Sequence, residues 1–225
     1  MSRLHRLRDR WADPLLTALT ILLALIIFLI APLQAAGLAE AEDIGILVFA
    51  LIVAALVFLS GSPVATFFVV IGFTVSAASA LLRLHQPSAL DLYLKAGGWI
   101  LMSLALIWVV ALAVFASGRI TYHRIMGAIL LYLAIGWTFS GLFLLVGLLF
   151  PNAFDGMAIS DGPALTSQMA YYSFGTLTTA GSGDITAVHP LARSLTNLEA
   201  MVGQLYPATL LARLVTLEIE DEAKD

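Results

Sequence analysis

The sequence predicts an all-α membrane protein with six transmembrane helices, and three observations carry that prediction. Of 225 residues, 60% are hydrophobic and 12% charged, with a mean hydropathy of +0.97. Soluble domains carry about 25% charged residues, so half that share cannot clothe a soluble globule of this length. The apolar residues fall into long runs near or above the roughly 20 positions that a helix needs to cross a bilayer. The few charges lie mostly between those runs. A soluble enzyme and a disordered chain are therefore disfavoured. A net charge of −4 and a pI near 5.5 leave no basic footprint for nucleic acid. The chain has no cysteine, which excludes disulfides, thiolate metal sites and cysteine catalysis.

Residues 1–13 come first. Arg3, Arg6, Arg8 and Arg10 alternate with Leu4, Leu7 and Trp11 at helical spacing. That pattern suits a short helix lying in the membrane interface, and equally a solvated basic tail that only sets topology. The first apolar run, 14–36, is too long for a signal peptide and lacks a small-residue cleavage site, so it is expected to remain in the mature protein. Further runs cover 43–60, 63–84, 94–116 and 125–150. The sixth, 189–217, is longer and more polar, with Arg193, Glu199, Gln204 and Arg213. Gly72, Ser76, Ser79 and Ala80 form a small-residue stripe that reads as helix packing. A second short amphipathic stretch, 118–124, follows the fourth run, and beyond it the chain becomes rich in Thr, Ser, Gly and Tyr. The expected organisation is an interfacial segment 1–13, a four-helix domain 14–116, a linker 117–126, a second domain 127–217 and an acidic tail 218–225.

Orientation follows from the basic residues beside the spans. The four N-terminal arginines precede the first run, whereas Glu40, Glu42 and Asp43 follow it. The N-terminus is then cytoplasmic, and six crossings bring the C-terminus back to that side. Arg119, Arg124, Arg213 and Lys224 fall inside as well, against Arg83, Lys95 and Arg193 outside. The expected location is the cell membrane, plasma or inner, with multiple passes.

The chemistry concentrates in 151–188, between the fifth and sixth runs. From about Ser167 to Thr178 the chain is apolar enough to enter the membrane and too short to cross it. It returns through Thr179-Ala180-Gly181-Ser182-Gly183-Asp184. Irregular backbone at membrane depth is tolerated only where it lines a water-filled path or is buried in protein. Gly181 and Gly183 permit backbone angles that aim successive carbonyls one way, and a ring of carbonyls can replace a cation's hydration shell. The physical reading is an ion-conducting re-entrant loop.

Over residues 127–217 the sequence resembles the potassium-channel pore family. That family has an outer helix, a pore helix, a Thr-Val-Gly-Tyr-Gly filter with a following Asp, and an inner helix. Tyr171-Tyr172-Ser173 matches its pore-helix aromatic pair and serine, and Thr176, Thr178 and Thr179 match its threonines. Gly181 and Gly183 match the filter glycines, and Asp184 the filter-end Asp. Gly203 falls at the inner-helix hinge, and Pro207 where some members kink that helix. The resemblance implies a homotetramer in which Thr179 through Gly183 present oxygens to K+ or Na+, with ions at Thr179, Ala180 and Gly181 and no other cofactor. Tyr171, Tyr172, Thr176, Thr178 and Asp184 would support the filter. Gly203, Gln204 and Pro207 would shape the inner helix and its cavity.

The sequence departs from the family at three positions. Ala180 replaces its Val, Ser182 its Tyr, and Gly175 stands where many members carry a carboxylate. Without the Tyr ring that braces the family's filter, a wider or softer filter and weaker discrimination between potassium and sodium are expected. Glu199 is a carboxylate within a spanning helix, where such groups face protein or water. One reading places it behind the filter, bonded to the pore helix; the other has it tuning cation occupancy in the cavity. Thr196 is read as bonding back to its own helix, and His189 as an exposed helix-start residue.

Six spans with the pore in the last two is the outline of voltage-gated channels, yet the fourth run carries only Lys95, at its outer edge. Each transferred charge supplies about 2.3 kcal/mol per 100 mV, so steep voltage sensing by these helices is not expected. The short acidic tail gives no sign of a ligand-binding domain. Gly181-Ser182-Gly183-Asp184 also spells the Gly-x-Gly-Asp signature of intramembrane aspartyl proteases. That chemistry needs a second carboxylate sharing a proton, and the other aspartates lie at span ends, in loops or in tails. A serine peptidase would need a later His, absent after His189, and a secondary transporter would show repeat symmetry between halves, also absent. The expectation is a channel and not an enzyme.

Overall fold

The computed structural model describes residues 3–38, 50–51, 53–54, 57, 60–85, 89–115 and 122–222. The chain is mostly helical. Helix α1 (Arg3–Leu25) passes through a π-helical turn (Ile26–Ile30) into α2 (Ala31–Ala35). The interfacial segment read from the sequence is therefore continuous with the first span, with Pro14 inside one helix. Most of the expected second span, 43–60, lies outside the described residues. Then come α3 (Pro63–His85), α4 (Ala89–Val114), α5 (Tyr122–Leu149), α6 (Pro163–Leu177) and α7 (Pro190–Glu222).

Among the described residues, four stretches are long and apolar enough to cross a membrane: Pro14–Ala35, Pro63–Arg83, Leu90–Val114 and Arg124–Leu149. They lie within a few residues of the runs read from the sequence. Helix α4 begins before residue 94 because Asp91 and Lys95 dilute the hydropathy of its first turns without interrupting the helix. Helix α5 takes up 122–126 of the stretch read as a linker, since no Gly or Pro separates Tyr122 from Met126; residues 116–121 lie outside the described residues. Helix α7 runs to Glu222, into the stretch read as an acidic tail.

Helices α3, α4 and α5 pack in sequence order, and α1 returns to lie against α5. The small-residue stripe of α3 meets α4. A methyl placed on Gly98 would sit 3.1 Å from the Ser76 backbone nitrogen, and Ser79 Oγ donates to the Asp91 carbonyl at 2.8 Å. Among the described residues, two buried clusters form the core. One joins Leu19, Leu23, Leu106, Leu130 and Trp137 with Phe174 and Leu177 of α6. The other packs Phe143 of α5 with Phe154, Met169, Tyr172 and Ile185. Between α5 and α6 lies a two-residue strand, β1 (Phe154–Asp155), antiparallel to β2 (Thr186–Ala187), with Phe154 opposite Ala187 and Asp155 opposite Thr186. This pair fastens the loop before α6 to the segment that follows Asp184. At the other end of the molecule, Arg213 Nη2 donates to the Phe115 carbonyl at 2.8 Å and so ties α7 to the end of α4.

Candidate functional site

Helix α6 starts at Pro163, whose missing N–H costs nothing in a first helical turn, and is held between α5 and α7. Its buried face explains its position. Tyr172 packs edge-on against Phe143 and Phe154, and its hydroxyl lies 2.7 Å from Thr196 Oγ1. Thr196 also donates back to the Ala192 carbonyl, so it bonds its own helix and Tyr172 at once. Thr176 and Thr178 back-bond to the carbonyls of Tyr172 and Phe174. Their hydroxyls thereby serve the end of α6.

Past Thr178 the chain changes handedness at alternate residues. Thr179 has φ +57°, Gly181 +77° and Gly183 +69°, whereas Ala180 and Ser182 do not have positive φ. Alternation of this kind turns carbonyls to one side of the strand and N–H groups to the other. The Gly181 N–H accordingly donates to the Gly175 carbonyl at 3.0 Å. A methyl on Gly181 or Gly183 would touch nothing within 4 Å, so glycine is favoured there by handedness and not by space. Thr179 adopts the same handedness with a β-branched side chain, a costly choice. A methyl on Gly175 would lie 3.4 Å from Gly181 and Ser182 backbone atoms, so the strand runs close along α6 at this position.

The outer end is pinned differently. The Ser182 carbonyl accepts from the Asp184 N–H at 2.7 Å and from the Tyr171 hydroxyl at 2.6 Å. The Asp184 side chain stands beside the same hydroxyl. Ser182 Oγ donates to the Ile185 carbonyl at 3.0 Å. His189 stacks on Phe150 with ring centroids 4.2 Å apart, and its Nδ1 accepts from the Leu191 N–H. It is thus a packed helix-start residue, less open than its position in the sequence suggests.

Behind the strand, Glu199 of α7 is fully buried. Its Oε1 lies 2.5 Å from Ser173 Oγ, while Oε2 has no partner among the described residues. Ser173 Oγ also contacts the Gly136 carbonyl of α5 at 2.7 Å, so one hydroxyl joins three helices. One turn further along α7, a methyl on Gly203 would fall 1.9 Å from the Leu177 carbonyl oxygen; only glycine lets α7 approach the end of α6 so closely. Pro207 has no N–H to give the Gly203 carbonyl four residues earlier, which opens the helical ladder at that point. Gln204 is exposed on α7. Sequence reasoning did not single out Gly136 or Tyr132, whose hydroxyl reaches the Leu177 carbonyl at 3.4 Å. The one available signal was a polar-tipped aromatic inside an apolar span.

A short helix stops inside the helical packing, a strand of alternating handedness follows it, and a long helix lies behind both. Residues 128–219 match the family model described as "Ion channel", a match that supports a likeness to potassium-channel-like pores over this part of the chain. No curated protein and no solved structure matches the chain. The chain is a membrane protein carrying an ion-channel domain.

Proposed function

We propose that four copies of this chain surround one axis as a channel for monovalent cations, each giving one α6 helix and one strand 179–183. The observation that carries this reading is the alternating handedness of Thr179–Gly183 on an open edge of the subunit. Thr179, Ala180, Gly181 and Gly183 are exposed, and a single strand cannot encircle an ion. Leu198, Met201 and Leu205, exposed along α7, give neighbouring copies an apolar surface to cover. Helix α7 has 33 residues and at 1.5 Å each is about 50 Å long, enough to cross the bilayer as the sixth span. With the second span at 43–60, both termini face the cytoplasm of a multi-pass protein in the cell membrane. The domains run 14–116 for the four-helix unit and 127–217 for the pore.

K+ or Na+ is the transported species, held by oxygens of Thr179, Ala180 and Gly181. The filter lacks the aromatic brace at Ser182 and the carboxylate at Gly175, so it holds its diameter by the Gly181–Gly175 backbone bond and discriminates weakly. Conduction requires no covalent chemistry and no further cofactor. Reversal potentials of the purified channel in bilayers, with potassium on one side and sodium on the other, test both parts. A small shift from zero is expected. Strong discrimination against sodium refutes weak selectivity, and absence of any monovalent current in wild-type protein refutes the channel assignment.

A further inference from the structure

The Ser182 carbonyl stands apart from the rest of the strand. A carbonyl oxygen has two lone pairs, and this one faces two donors, the Asp184 N–H at 2.7 Å and the Tyr171 hydroxyl at 2.6 Å. The first closes a tight turn across Gly183, whose φ of +69° fits the three-residue turn with a left-handed centre. In the second, two oxygens 2.6 Å apart need a proton between them, and the carbonyl has none, so the hydroxyl donates even though the Asp184 side chain competes for it. No described residue donates a hydrogen bond to the Thr179 or Ala180 carbonyl.

We infer that Tyr171 and the Gly183 turn withdraw the Ser182 carbonyl from the row of ion ligands, so that the ion-binding row ends at Gly181. Tyr171 is then a positioning residue for selectivity. This deepens the channel reading and rests on it. A row shortened at its outer end offers fewer consecutive dehydrated positions, and discrimination between cations depends on the number of carbonyl dipoles around the ion. Ser182 thus contributes in two ways: it supplies no ring to brace the filter, and its backbone oxygen is already engaged. The Tyr171 ring is about half exposed, so loss of its hydroxyl leaves the packing of α6 intact.

Two measurements on the full-length protein in bilayers test the inference. In the first, carbonyl carbons of Ala180 and Ser182 are isotopically labelled and their NMR shifts followed as potassium replaces a large organic cation. The Ala180 signal is expected to move and the Ser182 signal to stay. If both move, the inference fails and the channel reading stands; if neither moves, ion binding at the strand fails and both fall together. The second compares Tyr171→Phe with wild type in bi-ionic reversal potentials. Freeing one lone pair of the Ser182 carbonyl is expected to raise the potassium-to-sodium permeability ratio by roughly fivefold, the equivalent of one hydrogen bond. A merely structural role for Tyr171 would lower current or oligomer stability and leave that ratio unchanged, which overturns the assignment.

Discussion

Replacing Ser173 with alanine strands a buried carboxyl group, and the size of the effect can be worked from its surroundings. Glu199 is 0% exposed, and Ser173 is the hydrogen-bond partner of its Oε1, with Oε2 unpartnered among the described residues. The Gly136 carbonyl, which also contacts Ser173, keeps the Ser140 hydroxyl at 2.9 Å, so the loss falls on Glu199. Leaving a buried polar group unsatisfied costs about 1–3 kcal/mol. At about 2–4 °C per kcal/mol for a chain of this size, Ser173→Ala should lower Tm by about 2–12 °C in neutral detergent. Glu199→Leu removes the carboxyl altogether, and replacing a buried polar group by an apolar one of similar volume is often neutral or stabilising. It should therefore recover most of the Tm lost in Ser173→Ala, giving a coupling of about 1–3 kcal/mol in the double-mutant cycle. An unchanged Tm in Ser173→Ala, or strictly additive losses, would refute a mainly packing role. A fall in unit conductance in Glu199→Leu without any loss of Tm would favour the cavity-facing alternative instead.

Three further outcomes are expected. Gly203→Ala must separate α7 from the end of α6, because its methyl would lie 1.9 Å from a backbone oxygen; overpacking of this kind costs about 1–3 kcal/mol, and both Tm and ion flux into vesicles should drop. Thr179→Gly relieves a left-handed backbone that costs a side-chain-bearing residue about 1–2 kcal/mol, so the variant should be at least as stable as wild type while potassium flux falls through loss of the hydroxyl; a lower Tm would contradict the strain argument. In patch recordings, the conductance–voltage curve should show no steep activation, since α4 holds Lys95 and Asp91 as its charges; measurable gating charge from these helices would overturn this.

Four spans were legible because the bilayer imposes a length and a polarity that composition alone reports. The turn at Gly181 and Gly183 was legible because glycine marks left-handed backbone. Thr179 was not, since a β-branched residue argues against the conformation it adopts. The contact between Ser173 and Glu199 joins residues 26 apart on two elements, and no periodic pattern encodes which turn of α7 faces which turn of α6. For the same reason the pairing of β1 with β2 was invisible: two residues are too few to show alternation. Tyr171 was identified through its family position, whereas its engagement of the Ser182 carbonyl depends on the turn at Gly183.

The π-helical turn Ile26–Ile30 gives the first span an unusual sensitivity to length. Phe28, inside that turn, meets Phe174 of α6 edge-on with ring centroids 5.4 Å apart, and the Phe174 ring in turn lies against Gly136. Such a turn amounts to one residue inserted into an α-helix. Deleting a single residue there would restore regular helix and rotate everything beyond it by about 100°, carrying Phe28 or α2 off α6. Insertions or deletions near the start of the chain should be absorbed by helix ends, whereas a one-residue change in this short window re-aims the contact between the first span and α6.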